Sequence, residues 1–544
     1  MRHNRRTTPR RRRVRPARLR TLRKESMSTI QSVLRDTRHV AALALLAAVA
    51  ACGGSGGADS GGPPTSQYLD SNTYSGAATA SLASPNETTA TSHASLTLNG
   101  TAIAYTATVG HLSALDSTQS PEASIFYVAY TADGAAAATR PVTFFFNGGP
   151  GSATAYLHLG SFAPKRLVTG IPATTQTVPF PYVDNSDSLI DTSDLVFVDA
   201  VGTGLSEAIA PHTNQTYWGV DVDAAVLRDF VQRWLAVNGR TASPLFLYGE
   251  SYGTARVPVL TRLLETAGQR VNGVVELSSI LDYNSNCSVE GGKPTINCAG
   301  FLPSYAAVGE YYHLATGATS DLDADLASVR SYADSTYEPD AATWLASGTL
   351  PAAGHVAALV AFTGLPTAIW DEQFDMDYDT FRHNLIAGTT LGVYDGRMSA
   401  TVGSALDADD DPSNTFVDPG FVAEIKALLP ALGYTNPSTY ILTNNATIAD
   451  WTFTHGGRAL PDVVPDLSAA FSLDPSLKVL FLGGDHDLIT PFHQTELDVA
   501  RLGTGAPVAL YFHPGGHMTY LDDGSRPLMK AELAAFYASA TGAP

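Results

Sequence analysis

The sequence predicts an α/β protein: a mostly parallel central sheet with helices on both faces. Two observations predict it. Strand-like runs give way to alternating strand and helix patterns, and the alternation resumes near the C-terminus after a long interruption. Of the 544 residues, 44% are hydrophobic and 16% charged. That supplies a large core and excludes a disordered or collagen-like chain.

From about Ala94, the runs SLTLNGTAIAYTATV (95–109), ASIFYVAYTA (123–132) and PVTFFFN (141–147) are rich in β-branched and aromatic residues and read as strands. DLVFVDA (194–200) precedes a helix over 219–237 with apolar Val222, Ala225, Val226, Phe230 and Trp234. PLFLYG (244–249) leads into a helix over 252–267, and VNGVVELSSI (271–280) is again strand-like. SLKVLFLGG (476–484), PVALYFH (507–513) and a helix over 526–538 complete the series. Strands joined by crossover helices pair in parallel. Residues 285–445 break this rhythm and read as an inserted lid or cap between two parts of one core, 76–284 and 446–544.

Charge separates the chain into two regions. Residues 1–51 hold 14 of the 33 Lys and Arg and 2 of the 52 Asp and Glu, leaving 19 basic against 50 acidic residues from Cys52 onward. A body this acidic repels a phosphate backbone, so nucleic acid is not an expected partner. The run VAALALLAAVAA (40–51) is too short to span a bilayer and has the length of a secretory signal core. It ends in Val49-Ala50-Ala51-Cys52 ahead of a Gly/Ser-rich linker (52–75), which resembles the lipobox of bacterial lipoproteins. That resemblance implies lipidation of Cys52, export, and anchorage in a bacterial envelope on the periplasmic or outer-membrane side, with membrane contact only through the lipid. Residues 1–51 are then a leader, whose start is Met1 or Met27. The remaining cysteines, Cys287 and Cys298, are separated by ten residues in a Gly/Pro/Asn-rich loop and are expected to form a disulfide in an exported protein. With no second CxxC or histidine cluster of ligand spacing, no metal site is expected, and no cofactor.

The strongest chemical signal is Gly249-Glu250-Ser251-Tyr252-Gly253, a G-x-S-x-G between a strand and a helix. A serine at such a turn projects its hydroxyl above the strand ends. It needs a base and a group to orient that base, and α/β hydrolases supply them in the order Ser, Asp or Glu, His. The loop GGDHDLITP (483–491) offers Asp485 and Asp487. The next strand ends in His513-Pro514-Gly515-Gly516-His517, where His517 is free of the strand and His513 is held by it. Oxyanion donors are expected from the Tyr252 N–H and from the loop Asn147-Gly148-Gly149-Pro150-Gly151. The aspartate series 321/323/325 and 375/377/379 lack the glycine and glutamate of a calcium loop, and the acidic run 407–411 reads as a solvated loop.

NGGPGS (147–152), DLVFVDAVGTGLS (194–206), GESYG (249–253), GGDHD (483–487) and GGHM (515–518), in this order, resemble the serine carboxypeptidases, peptidase family S10. The stretch FLPSYAAVGEYYH (301–313) is similar to the insertion of bacterial members. The resemblance implies an α/β-hydrolase fold with an inserted lid. It also implies removal of C-terminal residues from peptides with a free C-terminus, through an acyl-enzyme on Ser251 with His517 as base and Asp487 as acid. The oxyanion donors fall on Gly149 and Tyr252. Recognition of the substrate carboxylate falls on Asn147, Gly148 and Glu250, and on His158, which stands where the family has a second glutamate. The same triad also serves an esterase or acyltransferase, and a silent hydrolase fold serves as a surface-binding lipoprotein.

Overall fold

The computed structural model describes residues 66–542 apart from 288, 290–296 and 320. The leader, the lipidation candidate Cys52 and most of the linker lie outside the described residues. Nine strands form the main path of the central sheet: β1 (Thr89–Leu98), β2 (Thr101–Leu115), β3 (Pro121–Ala132), β4 (Val142–Phe146), β5 (Asp194–Val198), β6 (Leu245–Glu250), β7 (Gly273–Leu277), β8 (Lys478–Gly484) and β9 (Val508–His513). Their order is β9-β8-β7-β6-β4-β5-β3-β2-β1, and Glu207–Ala208 adds a short strand beside β3. The six strands β4 to β9 are mutually parallel, whereas β1, β2 and β3 join antiparallel. The run expected as one strand over 95–109 is a hairpin. Asn99 and Gly100 both take positive φ, the geometry of a two-residue turn that Asn-Gly favours.

Alternation along the parallel strands builds a core on each face. Phe144 and Phe146 of β4 face one side, where Phe144 meets Trp234 edge-on at 5.3 Å. Phe145 faces the other side and stacks on Phe197 and Tyr248 at 4.6 and 4.9 Å. The first face is covered by α2 (Val220–Val237), α3 (Gly253–Thr266) and α5 (Val464–Leu473). The second is covered by α1 (Ala155–Gly160), α4 (Pro412–Ala431) and α7 (Arg526–Thr541). Burying one such aromatic side chain stabilises the fold by roughly 1.5–3 kcal/mol. In α2 the buried stripe runs through Val226, Phe230 and Trp234 as expected, but Val222 is exposed and Val220 takes the inward position at the first turn.

Within the long insertion, Leu302–Tyr311 and the helices up to Tyr378–Asn384 pack around their own apolar cluster, which Leu488 and Phe492 at the start of α6 (Phe492–Ala500) join to the sheet domain. Helix α4 instead belongs to the core on the second sheet face. Cys287 and Cys298 form a disulfide. The N-terminal part of the body begins earlier than residue 76: Tyr68–Leu69 pairs with Tyr434–Thr435, and buried Asp70 accepts the hydroxyls of Tyr74 and Tyr434 at 2.7 and 2.9 Å. Among the described residues, no helix is long and apolar enough to cross a membrane.

Candidate active site

The parallel strands deliver their C-terminal ends to one edge of the sheet, where ligands of open α/β sheets bind. Ser251 sits in the turn between β6 and α3 with φ of +59°, the strained conformation that lifts a nucleophile out of the backbone. The flanking glycines are required by contact. A β-carbon on Gly249 would lie 2.5 Å from the Gly253 carbonyl, and one on Gly253 would lie 2.5 Å from the Phe146 carbonyl at the end of β4. The turn is anchored by Arg256 of α3, which pairs with buried Asp223 of α2 and donates to the Asn147 carbonyl.

Of the two aspartates after β8, the structure selects Asp487. Its Oδ2 lies 2.8 Å from His517 Nδ1, and its Oδ1 accepts the N–H groups of Ile489 and Thr490, both at 2.9 Å. Thr490 Oγ1 donates to Asp487 Oδ2 at 2.7 Å and lies 3.0 Å from His517 Nδ1. Burial opposes charge on both partners. Their mutual attraction and hydrogen bond overcome it, holding Asp487 below the ordinary carboxylate range and His517 above the ordinary histidine value, with Glu250 and Asp411 adding to the pull on His517. Tyr394 steadies His517: its carbonyl accepts the His517 backbone N–H at 2.6 Å and its ring meets the imidazole edge-on at 4.8 Å. Asp485 is buried apart from this pair, and His513 pairs with Glu532 at 2.9 Å.

Ser251 and His517 face the same cavity of about 460 Å³, together with Asn147, Gly148 and Gly149. Gly148 allows the two loops to meet, since a β-carbon there would lie 2.5 Å from the Tyr252 nitrogen and 2.7 Å from Ser251 Cβ. Neither the Gly149 nor the Tyr252 N–H donates to another group among the described residues. Two backbone donors near a serine hydroxyl are the arrangement that stabilises an oxyanion.

Glu250 also lines the cavity. Its Oε2 accepts from Asn147 Nδ2 at 2.8 Å and from the Tyr520 hydroxyl at 3.0 Å. Asn147 is fixed in turn, because its Oδ1 accepts the Leu157 N–H of α1 at 2.9 Å. Burial pushes the Glu250 carboxyl up to about 7, against the opposing pull of His517 and of its two donors.

His158 corrects the expectation from the sequence. It is not brought to the cavity: it is buried on α1, its Nε2 lies 2.8 Å from the Tyr130 hydroxyl, and its ring stacks on Phe197 at 4.7 Å. Burial pulls its imidazole down to about 3, so it is neutral and carries no charge for a substrate carboxylate. The acidic run is also corrected in part. Asp411 is buried and, with Asp409, lines the cavity, while Asp410 pairs with Arg382 and His383 at the surface. Asp321 and Asp377 of the two aspartate series cap helices, each accepting a backbone N–H of the first turn. Thr490, Tyr520, Tyr394 and Asp418 were not read from the sequence. Thr490 and Tyr520 each lie three residues beyond a recognised triad member, which is the one signal that marks them.

Residues 101–296 match the family model "Serine carboxypeptidase". No curated protein sequence matches the chain. The crystal structure of Kex1(delta)p, a prohormone-processing carboxypeptidase from Saccharomyces cerevisiae, superposes with a TM-score of 0.52 at 14% identity, covering 79% of this chain and 92% of that one. Proline iminopeptidase from Mycobacterium smegmatis matches with a TM-score of 0.34 at 14% identity, over 80% of this chain and 99% of that one. The protein has an α/β-hydrolase fold and matches the serine carboxypeptidase family, S10, over residues 101–296.

Proposed function

We propose that this hydrolase is a serine-type carboxypeptidase that removes C-terminal residues from peptides. A Ser-His-Asp set by itself supports any acyl transfer. What carries the narrower reading is the Glu250–Asn147–Tyr520 cluster one residue ahead of the serine, a buried carboxyl whose affinity for its proton reaches to about pH 7. In its protonated form Glu250 donates to a carboxylate, and with the Asn147 amide and the Gly148 N–H it holds a peptide's free C-terminus. Ionised, it repels that carboxylate.

In this reading the Ser251 hydroxyl attacks the last peptide carbonyl while His517 Nε2 takes its proton. The N–H groups of Gly149 and Tyr252 donate hydrogen bonds to the developing oxyanion. His517 then gives the proton to the leaving amino acid, and water admitted to the acyl-enzyme repeats the sequence in reverse roles. Asp487 fixes the tautomer and steadies the imidazolium. Free-acid and amidated versions of one N-blocked dipeptide test the reading, with Ser251→Ala as the inactive reference. The free acid is expected to be cleaved preferentially by wild type and not by the variant; equal cleavage of the amide points to a different acyl acceptor or substrate. We also infer export and lipid anchorage at Cys52, supported by the apolar run and small residues ahead of it. Labelled palmitate is expected in the wild-type protein and absent from Cys52→Ala; equal label in both contradicts the anchor.

A further inference from the structure

The loop that carries the Gly149 N–H lies outside helix and strand, so its aim is set by what packs behind it. Within the loop, the Ser152 N–H donates to the Gly148 carbonyl at 3.1 Å and closes a turn around Gly149. That turn is docked on the stretch 441–444. The Ala153 N–H donates to the Leu442 carbonyl and the Asn444 N–H to the Gly151 carbonyl, both at 2.8 Å. The approach leaves no room for a side chain: a β-carbon on Gly151 would lie 2.7 Å from the Asn444 carbonyl. Thr443 and Asn445 line the cavity, whereas Asn444 between them is buried behind its wall.

The Asn444 side chain ties this stretch to the start of the body. Its Nδ2 donates to the carbonyls of Gly202 and Gly76, each at 2.8 Å, and its Oδ1 accepts the Ala446 N–H and caps the short helix Asn445–Asp450. Both amide hydrogens are thereby used. Gly76 belongs to the N-terminal segment 66–82, which is itself held from outside. The Tyr74 N–H donates to Ser438 Oγ at 2.8 Å and the Ser75 N–H to the Glu207 carboxylate at 2.7 Å. Buried Asn214 donates to the carbonyls on either side of Gly76, those of Ser75 and Ala77, at 2.8 and 3.0 Å. A β-carbon on Gly76 would lie 2.7 Å from Asn444 Nδ2. A continuous hydrogen-bonded path therefore runs from Asn214 through Gly76 and Asn444 to Gly151. We infer that segment 66–82 is a strap that sets the oxyanion loop, with Asn444 as the positioning residue through which it acts. An oxyanion donor stabilises charge only where it is aimed, and a misplacement of about 1 Å from a distant change costs on the order of a hundredfold in rate. This rests on Gly149 as an oxyanion donor and deepens that reading.

The test uses the full chain with two substitutions outside the cavity. Asn444→Asp keeps the helix cap and has no donor for the Gly76 and Gly202 carbonyls, and Gly76→Ala crowds Asn444 Nδ2 from the strap. For each, kcat and KM are measured on an N-blocked Phe-Leu free acid, the rate of fluorophosphonate labelling of Ser251 is followed, and denaturant unfolding gives the fraction folded. Both variants are expected to lose roughly ten- to a hundredfold in kcat, with KM within about twofold of wild type and labelling slowed in parallel. The pH profile is expected to keep its wild-type shape, since Glu250 and His517 are not touched. Wild-type kcat and labelling rate in Asn444→Asp overturn the inference, as does a loss confined to KM or one no larger than the fraction unfolded. A loss in Asn444→Asp without one in Gly76→Ala overturns the strap. If wild type is labelled at Ser251 yet cleaves no free-acid dipeptide, the carboxypeptidase reading falls, while slowed labelling in both variants still supports the strap.

Discussion

The two sides of the cavity differ in origin. One is made by the ends of β4, β6, β8 and β9, where a glycine-permitted contact or a short loop fixes each group: Gly148 against Tyr252, Ser251 in its turn, and Asp487 on His517. The other is made by α4, a helix from the long insertion that packs on the second sheet face and lends the cavity Asp411, Asn414 and Asp418. The sheet side holds groups whose geometry the chemistry dictates. The helix side holds groups outside the reacting set.

This division predicts large effects on turnover from the sheet side and smaller, substrate-dependent effects elsewhere. Asp487→Asn keeps the shape but presents an amide to His517 Nδ1, favouring the wrong tautomer. Its kcat is expected to fall by about 10⁴, measured on a free-acid dipeptide; a loss below tenfold contradicts the role given to Asp487. Glu250→Gln separates binding from chemistry. Glutamine remains a donor at every pH, so its free-acid cleavage is expected to persist above pH 7, with kcat/KM about tenfold above wild type at pH 8.5. A wild-type-like alkaline fall in this variant refutes the proton on Glu250. The smallest effect is expected at His158. His158→Leu leaves the Tyr130 hydroxyl buried without its partner and is expected to cost about 1–3 kcal/mol of stability in denaturant unfolding. Its kcat/KM is expected to change by less than about twofold, and a large change in KM restores His158 to substrate recognition.

The difference between the two sides also governs how much was legible in the sequence. The elbow is local: five consecutive residues specify strand, turn and helix, and the order of Ser251, Asp487 and His517 follows the strand order of the sheet. The aromatic run PVTFFFN likewise reads as a strand, and Phe144, Phe145 and Phe146 are found buried on its two faces. The choice of Asp487 over Asp485 is tertiary, since both follow β8 and only the loop's path places one against His517. His158 misled because a motif position says which residue replaces another and not whether its side chain still reaches the cavity; here Tyr130 and Phe197 hold it in the core. The run 407–411 looked like solvated charge because nothing local distinguishes Asp410, paired with Arg382 at the surface, from its buried neighbour Asp411.

Free-acid cleavage depends most on Glu250, a buried acid that shares the cavity with the nucleophile and with His517. These two groups share one cavity and titrate as a coupled pair. The most direct measurement is the ratio of kcat/KM for a free-acid peptide to that for its amide, followed from pH 5 to pH 9. Glu250 is protonated below about pH 7 and ionised above it, so the ratio is predicted to be high on the acidic side and to collapse through that range, while cleavage of the amide rises as His517 becomes neutral. A ratio near one, or one that stays constant across pH, contradicts the account.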